Sequence, residues 1–259
     1  MDRRSIGVMD SGAGGLTVAR VFAARYPAEN ILYFGDSARN PYGERTQEEI
    51  IEFAGQIKKF LLSHDVKAVV LACNTITFNV PASFYEEAVP VVGMSLGFSA
   101  LPAVSRVAVF ATPASIATHA HKNGVLSALP KACVIEVPCE GLANAIERMA
   151  SQEEIRNILA GLIEKYGAGD AEAAVFGCTH YPLIVDCFRK LLPNTFFLDP
   201  AEVTAEKTME ILKSRDALSD RHEKDVFYFS GETEAASRLV AVAMGKDEEI
   251  YRVSNLGNH

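Results

Sequence analysis

Nine short apolar runs, at residues 5–9, 31–34, 68–71, 89–92, 106–110, 134–137, 173–176, 195–198 and 226–229, alternate with longer helical patterns along the 259-residue chain. The runs are near-continuously apolar over four or five residues, the mark of strands covered on both faces by helices. Such a chain folds as an α/β protein with mostly parallel sheets, because parallel neighbours need a crossover connection and a helix usually supplies it. Two of the intervening segments are readily read. Residues 16–24 open a helix directly behind the glycine-rich turn Asp10-Ser-Gly-Ala-Gly-Gly-Leu16. Residues 46–62 carry Ile50, Phe53, Ile57, Phe60 and Leu61 on one stripe, with Glu48 and Glu49 at the start, where carboxylates complement the positive end of the helix dipole.

An internal echo sets the organisation. Residues 65–75 overlie residues 170–180 and bring Cys73-Asn-Thr75 onto Cys178-Thr-His180, an offset of 105 residues. The same shift lays 90–92 on 195–197, and a similar one lays 6–11 on 107–112, with Ala111 and Thr112 opposite Asp10 and Ser11. Three matches near one offset predict two pseudo-symmetric, doubly wound lobes. Residues 1–96 with 208–259 are expected to form the first, and 97–207 the second. Both cysteines then stand at the carboxyl end of a parallel strand, where open α/β sheets place their ligands. Lobes related by a pseudo-two-fold axis put these thiols on opposite sides of one inter-lobe cleft, the expected active site.

Composition removes several classes of function. Against 33 acidic residues there are 25 Lys and Arg, a net charge of -8 with no basic block, so nucleic acid is not the expected partner. No stretch approaches the ~18 apolar residues of a membrane span, and the first nine residues lack a signal core, so the expected location is the cytoplasm. The five cysteines, Cys73, Cys133, Cys139, Cys178 and Cys187, contain no Cys-x-x-Cys pair, which argues against a disulfide framework or a zinc ribbon. Cys133 and Cys187 read as small buried hydrophobes. The glycine-rich turn is neither a dinucleotide fingerprint nor a P-loop, so no nucleotide cofactor is expected, and it offers instead backbone N–H groups to a small anion.

Two opposed thiols suit the removal of a proton from one face of a carbon and its return to the other. An ordinary thiol pKa of about 8.5 lets one sulfur act as base while its partner acts as acid. Asp10 and His180 are placed to pass protons to and from them. Ser11, Thr75, Thr118 and Thr179 supply donors for a small anionic substrate. Zinc at Cys178 and His180 lacks companion ligands at regular spacing, and a cysteine-protease centre would need one nucleophile, not two.

Along nearly its whole length the chain resembles the cofactor-independent aspartate/glutamate racemases, glutamate racemases in particular. The likeness runs through Ile6-Gly-Val-Met-Asp-Ser-Gly-Ala-Gly-Gly-Leu-Thr-Val18, Tyr33-Phe-Gly-Asp-Ser-Ala-Arg-Asn-Pro-Tyr-Gly43, Ala72-Cys-Asn-Thr75 and Phe229-Ser-Gly-Glu232, and is most specific at Gly177-Cys-Thr-His-Tyr-Pro-Leu183. It implies interconversion of L- and D-glutamate for peptidoglycan synthesis, hence for cell-wall biogenesis and cell shape, without pyridoxal phosphate, metal or nucleotide. By the same resemblance Cys73 handles the proton of the D-enantiomer with help from Asp10, and Cys178 that of the L-enantiomer with help from His180 and Glu147. Substrate contacts are implied for Asp10, Ser11, Pro41, Tyr42, Gly43, Asn74, Thr75, Thr118 and Thr179. The sequence is compatible with a homodimer. Departures from the family pattern are Ile76-Thr77-Phe78 in place of small residues, Leu96, Ala111, His121 in place of a tyrosine, and Glu140. Aspartate racemase is the alternative with the same two-thiol logic. A racemase-like amino-acid-binding or regulatory protein with little turnover is the alternative from another class.

Overall fold

The computed structural model describes residues 1–94, 97–245 and 248–253. Among them lie ten strands: β1 (Ile6–Asp10), β2 (Ile31–Gly35), β3 (Ala68–Leu71), β4 (Val91–Gly93), β5 (Arg106–Ala111), β6 (Cys133–Pro138), β7 (Ala173–Gly177), β8 (Phe196–Leu198), β9 (Val226–Phe229) and β10 (Ile250–Arg252). They form a six-stranded sheet in the order β10-β9-β2-β1-β3-β4 and a four-stranded sheet in the order β6-β5-β7-β8, with every pairing parallel. The order β2-β1-β3-β4 in one sheet is repeated as β6-β5-β7-β8 in the other, which is the echo of the sequence expressed as topology. β10 was not expected. Among the described residues it is an edge strand paired with β9 alone, and with Tyr251 and Arg252 exposed it carries no apolar run to announce it.

Strand periodicity explains why each sheet needs helices on both faces. Side chains alternate across β1 to β3, so Ile6, Val8, Tyr33, Ala68 and Val70 face the helices Leu16–Arg25, Ala201–Ser214 and Thr233–Met244. Met9, Leu32, Phe34, Val69 and Leu71 face the helix Gln47–Ser63 on the other side, through Ile50, Ala54, Ile57, Phe60 and Leu61. Each such fully buried large side chain contributes about 2 kcal/mol. Thr46 fixes where that helix begins. Its hydroxyl accepts from Glu49 N at 3.2 Å, and the Glu49 carboxylate accepts from Thr46 N at 3.0 Å, a reciprocal capping box. In the second sheet Ala108, Phe110, Ala174 and Phe176 meet Leu142, Leu159 and Phe188, while Val107, Val109 and Val175 meet Val125 and Leu101.

The return to the first lobe, expected near residue 208, falls inside the helix Ala201–Ser214, whose Ala201, Ala205 and Leu212 belong to the first lobe's core. We therefore propose that the chain crosses back before Ala201, between β8 and that helix. The outward crossing expected at 96–97 involves Leu96, which lies outside the described residues, as does the departure noted there. Phe98, just beyond, already packs on the second sheet.

Candidate active site

Strand ends from both sheets face the same space. β1 ends at Asp10 and runs into the glycine-rich turn, and β3 ends two residues before Cys73, which stands immediately ahead of the helix Asn74–Asn79. From the second lobe β7 ends at Gly177, directly before Cys178. Cys73 and Cys178, both buried, line one cavity with Ser11, Pro41, Tyr42, Gly43, Asn74, Thr75, Thr179 and His180. The cavity is nearly closed, with about 10 Å³ of free space between these side chains, roughly the room of one water molecule.

The two thiols have different company. Cys73 Sγ donates towards Ser11 Oγ at 3.6 Å. Burial pushes its pKa well up, and the nearby Asp10 carboxylate adds to the effect, so this sulfur rests as a thiol. Asp10 does not reach the cavity wall. It is fully buried behind it, with Oδ2 accepting from Gly12 N at 3.0 Å and Oδ1 without a partner among the described residues. Burial raises its carboxyl pKa, against the pull of His180.

Cys178 Sγ lies 3.5 Å from His180 Nδ1, and His180 Nε2 lies 2.6 Å from Glu147 Oε1. Burial by itself would lower the His180 pKa, but the Cys178 sulfur and then Glu147 outweigh it and hold it well above the usual imidazole value. Burial likewise works to raise the Glu147 carboxyl, yet the hydrogen bond from His180 and the Ala13 N–H overcome it and leave it below the ordinary value. Thiol, imidazole and carboxylate thus form a relay on the second lobe's side. Its carboxylate also crosses the cleft, because Glu147 Oε1 accepts from Ala13 N of the glycine-rich turn at 2.6 Å.

That contact explains the glycines. A Cβ at Gly12 would stand 2.2 Å from Glu147 Oε1, and one at Gly14 would stand 2.4 Å from His180 Nδ1, so only glycine lets the turn approach the relay. The lobes also meet where Thr17 Oγ1 donates to Thr179 O at 3.0 Å and where the hydroxyls of Thr75 and Thr112 lie 2.9 Å apart.

Thr118, expected at the substrate, is not among the residues lining the cavity. It follows the helix Pro113–Ala117, and its hydroxyl donates to Ser115 O at 2.7 Å. Thr112, Asn40 and Ala143 do line it and were not singled out. Thr112 carried a signal, since the echo laid it on Ser11. Asn40 sits inside a quoted motif, beside Pro41, while Ala143 has no feature in the sequence that marks it. Of the departures, Ile76, Thr77 and Phe78 do not line the cavity: Ile76 joins the core beside Cys73, and Thr77 Oγ1 donates to Leu71 O at 3.3 Å. Ala111 is buried at the end of β5 and Glu140 is exposed.

The sequence profile of the Asp/Glu/Hydantoin racemase family matches residues 6–208. The chain belongs to that family. A glutamate racemase of Lactobacillus acidophilus is 34% identical over 260 residues, covering 95% of this chain and 96% of the relative. The crystal structure of the Francisella tularensis glutamate racemase, in complex with D-glutamate, superposes with a TM-score of 0.89 at 29% identity and full coverage of both chains. That of Thermus thermophilus, in complex with beta-chloro-D-alanine, superposes at 0.80 with 30% identity and 98% of each chain covered. This racemase-family chain therefore shares with those enzymes both the sequence pattern and the two-lobed arrangement. Among its described residues no helix is long and apolar enough to cross a membrane.

Proposed function

We propose that the chain interconverts L- and D-glutamate in the cytoplasm and so supplies D-glutamate for peptidoglycan synthesis. One observation carries the mechanism: two thiols from different lobes line one small cavity, each with its own route for a proton. Ser11, Asn74, Thr75 and Thr179 are the groups we assign to the substrate's carboxylates and amine, with Pro41, Tyr42 and Gly43 shaping the same wall. From L-glutamate, Cys178 takes the α-proton as a thiolate paired with the His180 imidazolium, whose charge Glu147 balances, and releases that proton to solvent before the next turnover. The carbanion is then protonated from the other face by Cys73, which rests as a thiol and is resupplied by way of Asp10. From D-glutamate the roles reverse, so each direction uses one acid and one base. We assign the five groups Cys73, Cys178, Asp10, His180 and Glu147 to this proton traffic.

The test is turnover of both enantiomers in D2O under reducing conditions. At early conversion the product should carry deuterium at the α-carbon while the remaining substrate stays protiated, whichever enantiomer is supplied. Cys73→Ala and Cys178→Ala should each lose at least about 1000-fold in kcat, since neither direction can dispense with a partner. Aspartate should be turned over poorly in the same assay. Near-normal turnover in either single variant, or comparable labelling of recovered substrate, would exclude the opposed-thiol mechanism. Binding of glutamate without any racemisation would instead support a binding protein.

A further inference from the structure

Behind the cavity one imidazole touches the neighbours of both thiols. His121, on the second-lobe helix Ala120–Ala128, is buried. Its Nε2 lies 3.2 Å from Oδ1 of Asn74, the residue after Cys73. The same nitrogen packs so closely on Gly177, the residue before Cys178, that a Cβ there would stand 2.9 Å from it. Phe78 sets its ring edgewise to the imidazole, with centroids 4.7 Å apart and planes at 63°.

The hydrogen-bonding inventory then fixes which end of each group is engaged. An amide oxygen only accepts, so the nitrogen facing it carries the hydrogen. Burial pushes the His121 pKa down to about 4, so at neutral pH the ring is uncharged, and the contact with Asn74 Oδ1 assigns its one hydrogen to Nε2. Among the described residues Asn74 is left with a buried Nδ2 that has no partner, on a side chain that lines the cavity. A buried amide NH2 without an acceptor is costly, and a ligand oxygen is the group that relieves it. An amide turned over would offer its oxygen instead and repel a carboxylate.

We infer that His121 is a positioning residue, which by holding Oδ1 of Asn74 keeps the Asn74 NH2 group free to donate to a substrate carboxylate. The inference rests on the amino-acid racemase reading of the cavity. It assigns control of substrate orientation to a side chain that does not itself line the cavity, at a position where the sequence departs from the family's tyrosine.

Four variants and one spectrum test it. His121→Leu removes the donor without adding bulk, and His121→Gln supplies an amide donor in its place. His121→Leu should raise KM for both glutamate enantiomers about tenfold with kcat changed less than about threefold, and His121→Gln should recover most of that loss. In a cycle with Asn74→Ala, the double variant should be no worse than Asn74→Ala alone, because a missing amide has no orientation to lose. Losses in KM that multiply in the double variant, or an unchanged KM in a folded His121→Leu protein, would overturn the assignment. Thermal unfolding checks that each variant is folded. Imidazole ¹⁵N spectra of the wild-type protein give a readout that needs no turnover: hydrogen on Nε2 is expected, and hydrogen on Nδ1 with Nε2 bare overturns the inference. Should the wild-type protein turn over neither glutamate enantiomer, the racemase reading fails on its own, and the tautomer still decides whether His121 holds Asn74 in the stated sense.

Discussion

Glu147 has to satisfy two demands from one oxygen, accepting from His180 Nε2 and from Ala13 N, both at 2.6 Å. The carboxylate is held below its ordinary pKa and the imidazole above its own, so the pair stabilises the fold over a defined window. The Glu147 contribution is present above the unfolded carboxylate value of about 4.3 and is lost as pH falls through the lower folded value. The His180 contribution is complete below the unfolded imidazole value of about 6.5 and is lost as pH rises through the higher folded value. Glu147→Gln should therefore cost about 2 kcal/mol between roughly pH 4.5 and 6.5, and less on the alkaline side. Urea denaturation across pH 4 to 10 checks this, and a cost that does not vary with pH would refute the charged pair. The same variant should move the alkaline limb of kcat/KM to lower pH, because His180 loses the group that helps retain its proton.

At the scale of elements, the helix Gln47–Ser63 carries the clearest link from sequence to site. Its apolar stripe packs in the same core as Cys73 and Tyr42, so the helix backs one wall of the cavity. Loss of the cap in Thr46→Ala should cost about 1 kcal/mol, seen as a lower urea midpoint with an unchanged slope, while kcat stays near that of the parent. A changed slope or a collapse of kcat would mean that the cap does more than start the helix. This helix and the nine apolar strands were legible because burial on a fixed period leaves a mark in the residue types. The edge strand β10 left none, since two of its three residues face solvent. The site divides in the same way. Cys73, Cys178 and His180 could be placed because each lies within three residues of a strand end, whereas the side-chain direction of Thr118 depends on a local bond to Ser115 O that spacing cannot reveal. Thr112 was within reach of the internal echo, yet its role needs the first lobe's Thr75 opposite it.

For the whole molecule, the repeated strand order places two comparable halves around one cavity, but the repeat is broken where the chemistry lies. Asp10 at the end of β1 has Ala111 as its counterpart on β5, and the second thiol relies instead on His180 and Glu147. Mirror-image forms of glutamate have equal free energy in water, so their equilibrium ratio is one whatever the protein does. The specificity constants of the two directions must then be equal, and unequal machinery on the two sides can only trade turnover number against half-saturating concentration. The two enantiomers should accordingly show distinct kcat and distinct KM whose quotients coincide, measurable from initial rates in each direction. Quotients that differ beyond error would mean that the assay follows some process other than simple inversion. A duplicated fold facing a pair of enantiomers thus has no thermodynamic reason to stay symmetric, and its halves are free to diverge as long as they diverge together.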